Sequence, residues 1–403
     1  MGETKEMSDM NTPPSELEQR LSETQPLSGI RVLELGTSVA APYGAWILAV
    51  LGAEVIKIER PEKGDDIRYW GPPFWGNSST MFHTYNREKR SLAVDLKDTA
   101  QVDRLRQFIT DGVDVVLQNL RAGVAEKAGL GAERLTSECP RLIYCNIHAF
   151  GVSGPMRDQP GYDPLMQAFS GLMSVNGEAA RPPVRVGTSI VDKGTGMWSV
   201  IGVLSMLEQR RRTGRGGIID TSLLETALAW MGFLVADYAV TGKNPTPQGS
   251  GVRGIAPYQA YACADGCFLV AAANDRLFSR LADVMGHPEW PKDERFSSNP
   301  SRYRNLVALN EALEPLFAAD TREVWQTRLN NAGIPCAPLQ QLDEVLVNPQ
   351  VAALEILQQV TPDAMTLVGL PLSFNGGRPP ARYGAPDLGE FDAEYQRGNY
   401  SRS

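Results

Sequence analysis

The sequence predicts an α/β protein, a doubly wound large domain joined to a smaller α/β domain. Residues 27–59 run through a strand pattern, a small-residue turn, an apolar helix and a second strand. A strand, helix and strand in so short a span form a right-handed parallel βαβ unit. Three further apolar runs follow, with helical segments between them, the alternation that builds a parallel sheet covered on both faces. A Gly/Pro-rich stretch at 244–257 then breaks the pattern, and a hairpin pattern begins beyond it.

Residues 1–26 read as a mobile polar tail interrupted by Pro13, Pro14 and Pro26, with structure starting at Leu27. GIRVLEL is the first strand, AAPYGAWILAVLG a helix, and AEVIKIE the second strand, ending at Glu59. Further strands are expected at 91–96, 113–119 and 141–147. DPLMQAFSGLMS and KGTGMWSVIGVLSMLEQRRR read as helices, the second with Met197, Ile201, Leu204 and Leu207 on one face. Its closing arginines suit a helix C-terminus. GIIDTSLL is a strand leading to another apolar helix, and YQAYACADGCFLVAAA a hairpin turning at Asp265-Gly266. Two amphipathic helices complete the smaller domain. The expected division is a tail at 1–26, a large domain at 27–221, a small α/β domain at 222–325, and a segment at 326–403 returning to the large domain.

The 403 residues are 42% hydrophobic and 21% charged, an ordinary globular balance. The net charge is −8, and no basic run exceeds Arg210–Arg212, which argues against a nucleic-acid or anionic-membrane surface. Five cysteines without a CxxC pair and three histidines disfavour a disulfide framework or a metal site. The N-terminus has neither the basic region nor the apolar core of a signal peptide. The longest apolar stretch, at 226–236, falls short of the roughly 20 residues that span a bilayer. A cytoplasmic protein is expected.

LELGTSVAA after the first strand is a degenerate GxGxxG in which only Gly36 is present and Ser38 and Ala41 take the other two places. Glu59 ends strand two, where a ribose-binding acid belongs. A tight turn that lets helix and strand pack closely explains the same residues. Asp163 precedes Pro164 and Asp192 precedes Lys193-Gly194, each at an expected helix start, where an N-cap is the simplest role. Asp192 stands apart because GTSIVDKGTG surrounds it with small residues that leave room near the backbone. No GxSxG, HExxH or P-loop occurs, so triad hydrolysis and metal catalysis lack support. Arg60, Lys97, Arg121 and Lys127 follow strand ends or helix starts, and form either a solvated rim or a cradle for a polyphosphate.

From Leu27 to about Glu390 the chain resembles the class III CoA-transferases, the CaiB/BaiF type that includes formyl-CoA, carnitine and dicarboxylate CoA-transferases. The matching segments are LSGIRVLELG, LGAEVIKIERPEKGD, NREKRSLAVDLK, QNLRAGVAEKAGLG, FGVSGP, GYDPLMQAFSG, VGTSIVDKGTG, RRTGRGGIIDTSL, GIPCAPL and GAPDLGE. The resemblance implies a Rossmann-like large domain and an interlocked homodimer. It places the family's nucleophile on Asp192 and a neighbouring acid on Asp163. It places coenzyme A contacts on Val39, Ala40, Arg60, Val94, Lys97, Asn119, Leu120, Arg121, Lys127 and Tyr162. It implies no permanently bound cofactor: coenzyme A thioesters are substrates.

Two departures bear on the donor. Formyl-CoA transferase has a Gln where this chain has Val39, and the family's glycine-rich small-domain loop is represented by Gln248-Gly249-Ser250-Gly251. They weigh against formyl-CoA, and the segments VRVGTSIVDKGTGMW and RTGRGGIIDTSLLETALAW resemble members that move coenzyme A between succinate-like diacids. That implies succinyl-CoA as donor and a small dicarboxylate-like acid as acceptor, with Arg181, Arg185 or Arg253 as candidate partners for the distal carboxylate. Backbone N–H groups around 249–251 and 194–196 are the candidate oxyanion donors. The related α-methylacyl-CoA racemases place a catalytic His where Tyr162 stands here, which removes one of two bases from a racemase reading. A CoA-thioester-binding protein without catalysis is the third reading.

Overall fold

The computed structural model describes residues 24–360 and 364–398; the expected tail falls outside them up to residue 23. The first βαβ unit forms as its pattern predicts. Strand β1 (Arg31–Leu35) is followed by helix α1 (Ala40–Val50) and strand β2 (Glu54–Glu59). A short helix α2 (Thr80–Asn86) precedes β3 (Lys89–Ala93), and α3 (Thr99–Gly112) leads to β4 (Val115–Gln118). Then come β5 (Ile143–His148), α4 (Asp163–Phe169), the long helix α5 (Ile190–Thr213), β6 (Gly217–Ser222) and α6 (Leu223–Trp230). The six strands form one parallel sheet in the order β3-β2-β1-β4-β5-β6. This doubly wound order reverses between β1 and β4, which opens a crevice at their carboxyl ends. Asn119 spans that crevice, accepting the Thr37 N–H at 2.8 Å and donating to the Thr37 carbonyl at 2.9 Å.

Strands of a parallel sheet are buried on both faces and normally carry apolar runs. Here Glu34, Lys57 and Lys89 are buried among them. Lys57 Nζ lies 2.8 Å from Glu34 and 2.9 Å from Asp65, and Lys89 Nζ lies 2.7 Å from the other Glu34 oxygen. Burial pushes Lys89 down to about 8 against the pull of Glu34. For Lys57 burial acts the same way, but Asp65, Glu34 and Glu59 outweigh it and raise the ammonium. The network grips the turn after β1. Lys57 donates to the Gly36 carbonyl and Lys89 to that of Pro42, while the Asp65 carboxylate accepts the Ser38 N–H. That last bond supports a strained position, since Ser38 holds φ 66° where a glycine would sit freely.

Glu59 is not free for a ribose. It is buried, bonded to Arg68 at 2.7 and 2.9 Å, and accepts the Ser91 hydroxyl and the Asp65 N–H. Burial alone would raise its carboxyl, but Arg68 and Lys57 hold it down to about 2.

The chain divides into two units. The first holds the described residues up to Ser170, Gly187–Gly232 and those from Gln350 on; the second holds Gly171–Val186 and Phe233–Pro349. These limits differ from those at 221/222 and 325/326 for local reasons. Helix α6 stays with the first unit because its Thr226 hydroxyl meets that of Thr195 at 2.8 Å. In the second unit β7 (Tyr258–Cys263) and β8 (Gly266–Ala271) form the expected hairpin, turning at Ala264-Asp265, one residue early, since Gly266 already pairs with Cys263. GIPCAPL supplies β9 (Cys336–Pro338), which extends this hairpin rather than returning to the large domain. Phe268, Phe278, Leu313, Phe317 and Trp325 make its core. The return comes later. Asp392 accepts the Ala93 N–H at 2.8 Å, and Phe391 and Tyr395 are buried in the core of the first unit.

Helix α5 departs from its expected start. It starts at Ile190, three residues before Lys193, with Ser189 as its N-cap. Its apolar stripe is outward: Met197 is 46% exposed, Ile201 50% and Leu204 38%, while Gly196, Ser199, Val200 and Val203 are buried. No single described helix is long and apolar enough to cross a membrane.

Candidate active site

Helices α1 and α5 meet at two glycines. A Cβ on Gly196 would stand 2.7 Å from the Ala40 carbonyl oxygen and 3.2 Å from the Tyr43 ring; one on Gly44 would stand 2.7 Å from the Ser199 hydroxyl. This close approach brings the start of α5 beside the turn after β1. Because the Ala40 carbonyl is backbone and cannot move aside, Gly196→Ala is expected to cost about 1–3 kcal/mol of stability by overpacking. A urea-unfolding midpoint equal to that of the unmodified chain would contradict this.

Asp163 and Asp192 meet at that start and take different parts. Asp163, on the first turn of α4 with Tyr162 as N-cap, does not cap its own helix. Its Oδ2 accepts the backbone N–H groups of Val191 and Asp192 at 2.7 and 3.1 Å, so it caps α5 from a neighbouring helix. Its Oδ1 accepts from the Gln167 amide. Asp192 sits half-buried on the first turn of α5, and its carboxylate makes no hydrogen bond or ion pair to a described residue. Burial, and then the charge of Asp163, push it up to about 7. Favourable interaction with the helix N-terminus does not offset that loss of solvation.

Two residues that the sequence reading passed over complete the surroundings. Tyr85, on α2, feels the charge of Asp192 and is pushed up to about 12, chiefly by burial. Its ring packs edge-on against Tyr43 at 6.0 Å. The Lys193 ammonium lies 5.8 Å from the Tyr85 ring centre and 2.9 Å from the Thr188 hydroxyl. No local signal marks Tyr85, which lies over 100 residues from Asp192 in sequence.

A cleft of about 960 Å³ opens at the carboxyl ends of the first strands, and Arg60, Val94, Lys97, Leu120 and Lys127 line it. Arg106 and Arg134 line it too and were missed, because each reads as an exposed helix position. Arg60 reaches Asp66 and the Gly64 carbonyl, and Lys97 and Lys127 are exposed. The other expected contacts lie elsewhere. Val39 is buried with Ile67, Phe82 and Tyr85, and Ala40 is buried as the first residue of α1. Asn119 is engaged with Thr37, and Arg121 and Tyr162 are exposed outside the cleft lining.

Two of the candidate oxyanion donors of the 249–251 loop are engaged. The N–H of Gly249 bonds the Gly177 carbonyl at 2.8 Å and that of Gly251 the Gln248 carbonyl at 2.9 Å; the Ser250 hydroxyl accepts the Ala260 N–H. All three residues belong to the second unit and Asp192 to the first. Gly194–Gly196 lie inside α5, whose geometry turns their N–H groups to carbonyls four residues back. Among the described residues no three His, Cys, Asp or Glu side chains cluster as a metal site.

Comparisons with known proteins agree on one lineage. The model of CoA-transferase family III matches residues 27–391. A succinate–glutarate CoA-transferase of Agrobacterium fabrum is 34% identical over 378 residues, 92% of this chain and 94% of the relative. An acetyl-CoA:oxalate CoA-transferase of Acetobacter aceti is 36% identical over 374 residues, 92% of this chain and 95% of the relative. The crystal structure of a CaiB/BaiF family protein from Brucella suis superposes with a TM-score of 0.84 at 35% identity, covering 93% of this chain and 99% of that one.

Proposed function

Because the chain belongs to CoA-transferase family III, we propose that it moves coenzyme A from succinyl-CoA to a small dicarboxylic acid through a covalent intermediate on Asp192. The chain is a CoA-transferase, and relatives named for glutarate and oxalate favour a dicarboxylate acceptor. One observation supports Asp192 as nucleophile above all others. Of two adjacent acids, Asp163 has both oxygens engaged in holding a helix end, while the Asp192 carboxylate is half-buried and uncommitted.

The chemistry needs that asymmetry. The Asp192 carboxylate attacks the thioester carbonyl, the C–S bond breaks, and a mixed anhydride and CoA thiolate result. The thiolate attacks the aspartyl carbonyl, releasing the donor acid and leaving an aspartyl-CoA thioester. The acceptor carboxylate repeats the exchange: it displaces the thiolate to form a second anhydride, and the thiolate then takes the acceptor acyl group and frees Asp192. Poor solvation raises the basicity of Asp192 and with it its strength as a nucleophile. Asp163 is a positioning residue in this scheme. In the cleft, Arg60, Lys97 and Lys127 supply charge for the phosphates of coenzyme A, and Val94 and Leu120 supply apolar contact. Val39, Ala40, Asn119, Arg121 and Tyr162 remain proposed contacts only through backbone or exposed edges. No permanent cofactor is needed.

We also read the chain as cytoplasmic and as a homodimer, the latter supported by the outward apolar stripe Met197, Ile201 and Leu204. The covalent scheme is tested by incubation with succinyl-CoA, quenching with hydroxylamine and mapping by mass spectrometry. A hydroxamate on Asp192 is expected. Modification at another carboxylate, or none with several acyl-CoA donors, overturns the scheme.

A further inference from the structure

Lys193 follows Asp192 on the first turn of α5, and its charge is not neutralised locally. The ammonium bonds the Thr188 hydroxyl at 2.9 Å and faces the Tyr85 ring, with no carboxylate of a described residue at ion-pair distance. Burial lowers its proton affinity, and only the more distant charge of Asp163 acts against this. Adjacent positions on a helix diverge by about 100°, so the heads of Asp192 and Lys193 stand apart and do not cancel each other. The Lys193 ammonium stands 5.8 Å from the Tyr85 ring centre, and the charge of Asp192 also acts on the Tyr85 hydroxyl. The three arginines considered for a distal carboxylate have partners of their own, and Arg185 donates to the Val186 carbonyl at 3.0 Å. Arg253 is paired with Asp237 at 2.9 Å and Arg181 with Glu178 at 3.9 Å, all four in the second unit.

We infer that Lys193 is the counter-charge for the distal carboxylate of the acyl group, and that it selects dicarboxylic over monocarboxylic acyl groups for transfer. This rests on the reading of Asp192 as the acylated residue. A short diacid joined at one end to Asp192 brings its free carboxylate toward the neighbouring cation, where a half-buried setting strengthens a charged hydrogen bond. The same contact serves donor and acceptor in turn, because both occupy the same aspartyl position.

Binding tests this without chemistry. In an Asp192→Asn background, which cannot be acylated, calorimetry compares succinyl-CoA with its uncharged-tail analogue butyryl-CoA, with and without Lys193→Gln. Succinyl-CoA is expected to bind tighter than butyryl-CoA, and Lys193→Gln to erase roughly 10- to 100-fold of that preference. Lys193→Arg should retain most of it. A preference that survives Lys193→Gln, or one absent before it, overturns the inference. Turnover adds a second readout: with Asp192 intact, Lys193→Gln should lower kcat/KM for dicarboxylate pairs more than for butyryl-CoA with a monocarboxylate, and an equal loss for both contradicts selection. Failure of the covalent scheme is seen separately, as the absence of a hydroxamate on Asp192 in the unmodified chain.

Discussion

Asp192→Asn is expected to lower turnover by at least about 10⁴-fold, as loss of a covalent nucleophile does, while leaving coenzyme A binding intact and making the protein more stable. The two effects share one cause. Burial and Asp163 lift the Asp192 carboxyl from 3.8 to about 7, so between those pH values the folded chain binds more protons than the unfolded one. Stability therefore falls as pH rises through that window. Above about pH 7 the folded state carries an ill-solvated charge at a cost on the order of 4 kcal/mol. Asn has the shape without the charge. Its melting temperature should exceed that of the unmodified chain at pH 8, and the gap should close toward pH 4. Asp192→Ala guards against reversion by deamidation. Persistent transfer in either variant would remove Asp192 from the mechanism, and a pH-independent gap would remove the electrostatic account.

Glu34→Gln is expected to destabilise by about 3–5 kcal/mol, because it leaves fully buried Lys57 and Lys89 sharing one fewer charge. Lys57 keeps Asp65 at 2.9 Å, but Lys89 keeps only the Pro42 carbonyl and the Asn86 side chain. Both lysines also hold carbonyls in the turn from Gly36 to Pro42, so activity should fall with stability. The double variant Glu34→Gln/Lys89→Met removes the stranded ammonium and should recover part of the loss. Urea unfolding measures each term. A single variant costing under about 1 kcal/mol would mean that water or rearrangement satisfies the lysines.

The first βαβ unit was legible because its strands and helix are apolar runs of the right length, and the Asp192 neighbourhood because a resemblance marked it. What lay beyond the sequence was tertiary. Asp163 caps a helix that starts 27 residues later, a relation without local pattern. Helix α5 starts three residues before the expected Lys193 because Ile190 and Val191, β-branched residues that favour strands, are taken into its first turn. Its apolar stripe faces outward, because two glycines opposite each other make the small-residue face the better one to bury. Charges inside β2 and β3 have no solvent face to turn to in a parallel sheet, and Glu34 is their partner. Glu59 sat where a ribose acid belongs and was claimed instead by Arg68.

The docking of Phe391 and Tyr395 against the first unit, about 300 residues from β3, sets the timing of assembly. During synthesis the residues of β3 and α3 emerge early, but the side chains that cover them arrive after the whole second unit has been made. The second unit is continuous over Phe233–Pro349 and can fold from contacts close in sequence. The first must wait with an uncovered apolar edge, the condition under which nascent chains recruit chaperones or aggregate. The stretch Phe233–Pro349 can therefore fold before the first unit, begun earlier, has the residues that complete it.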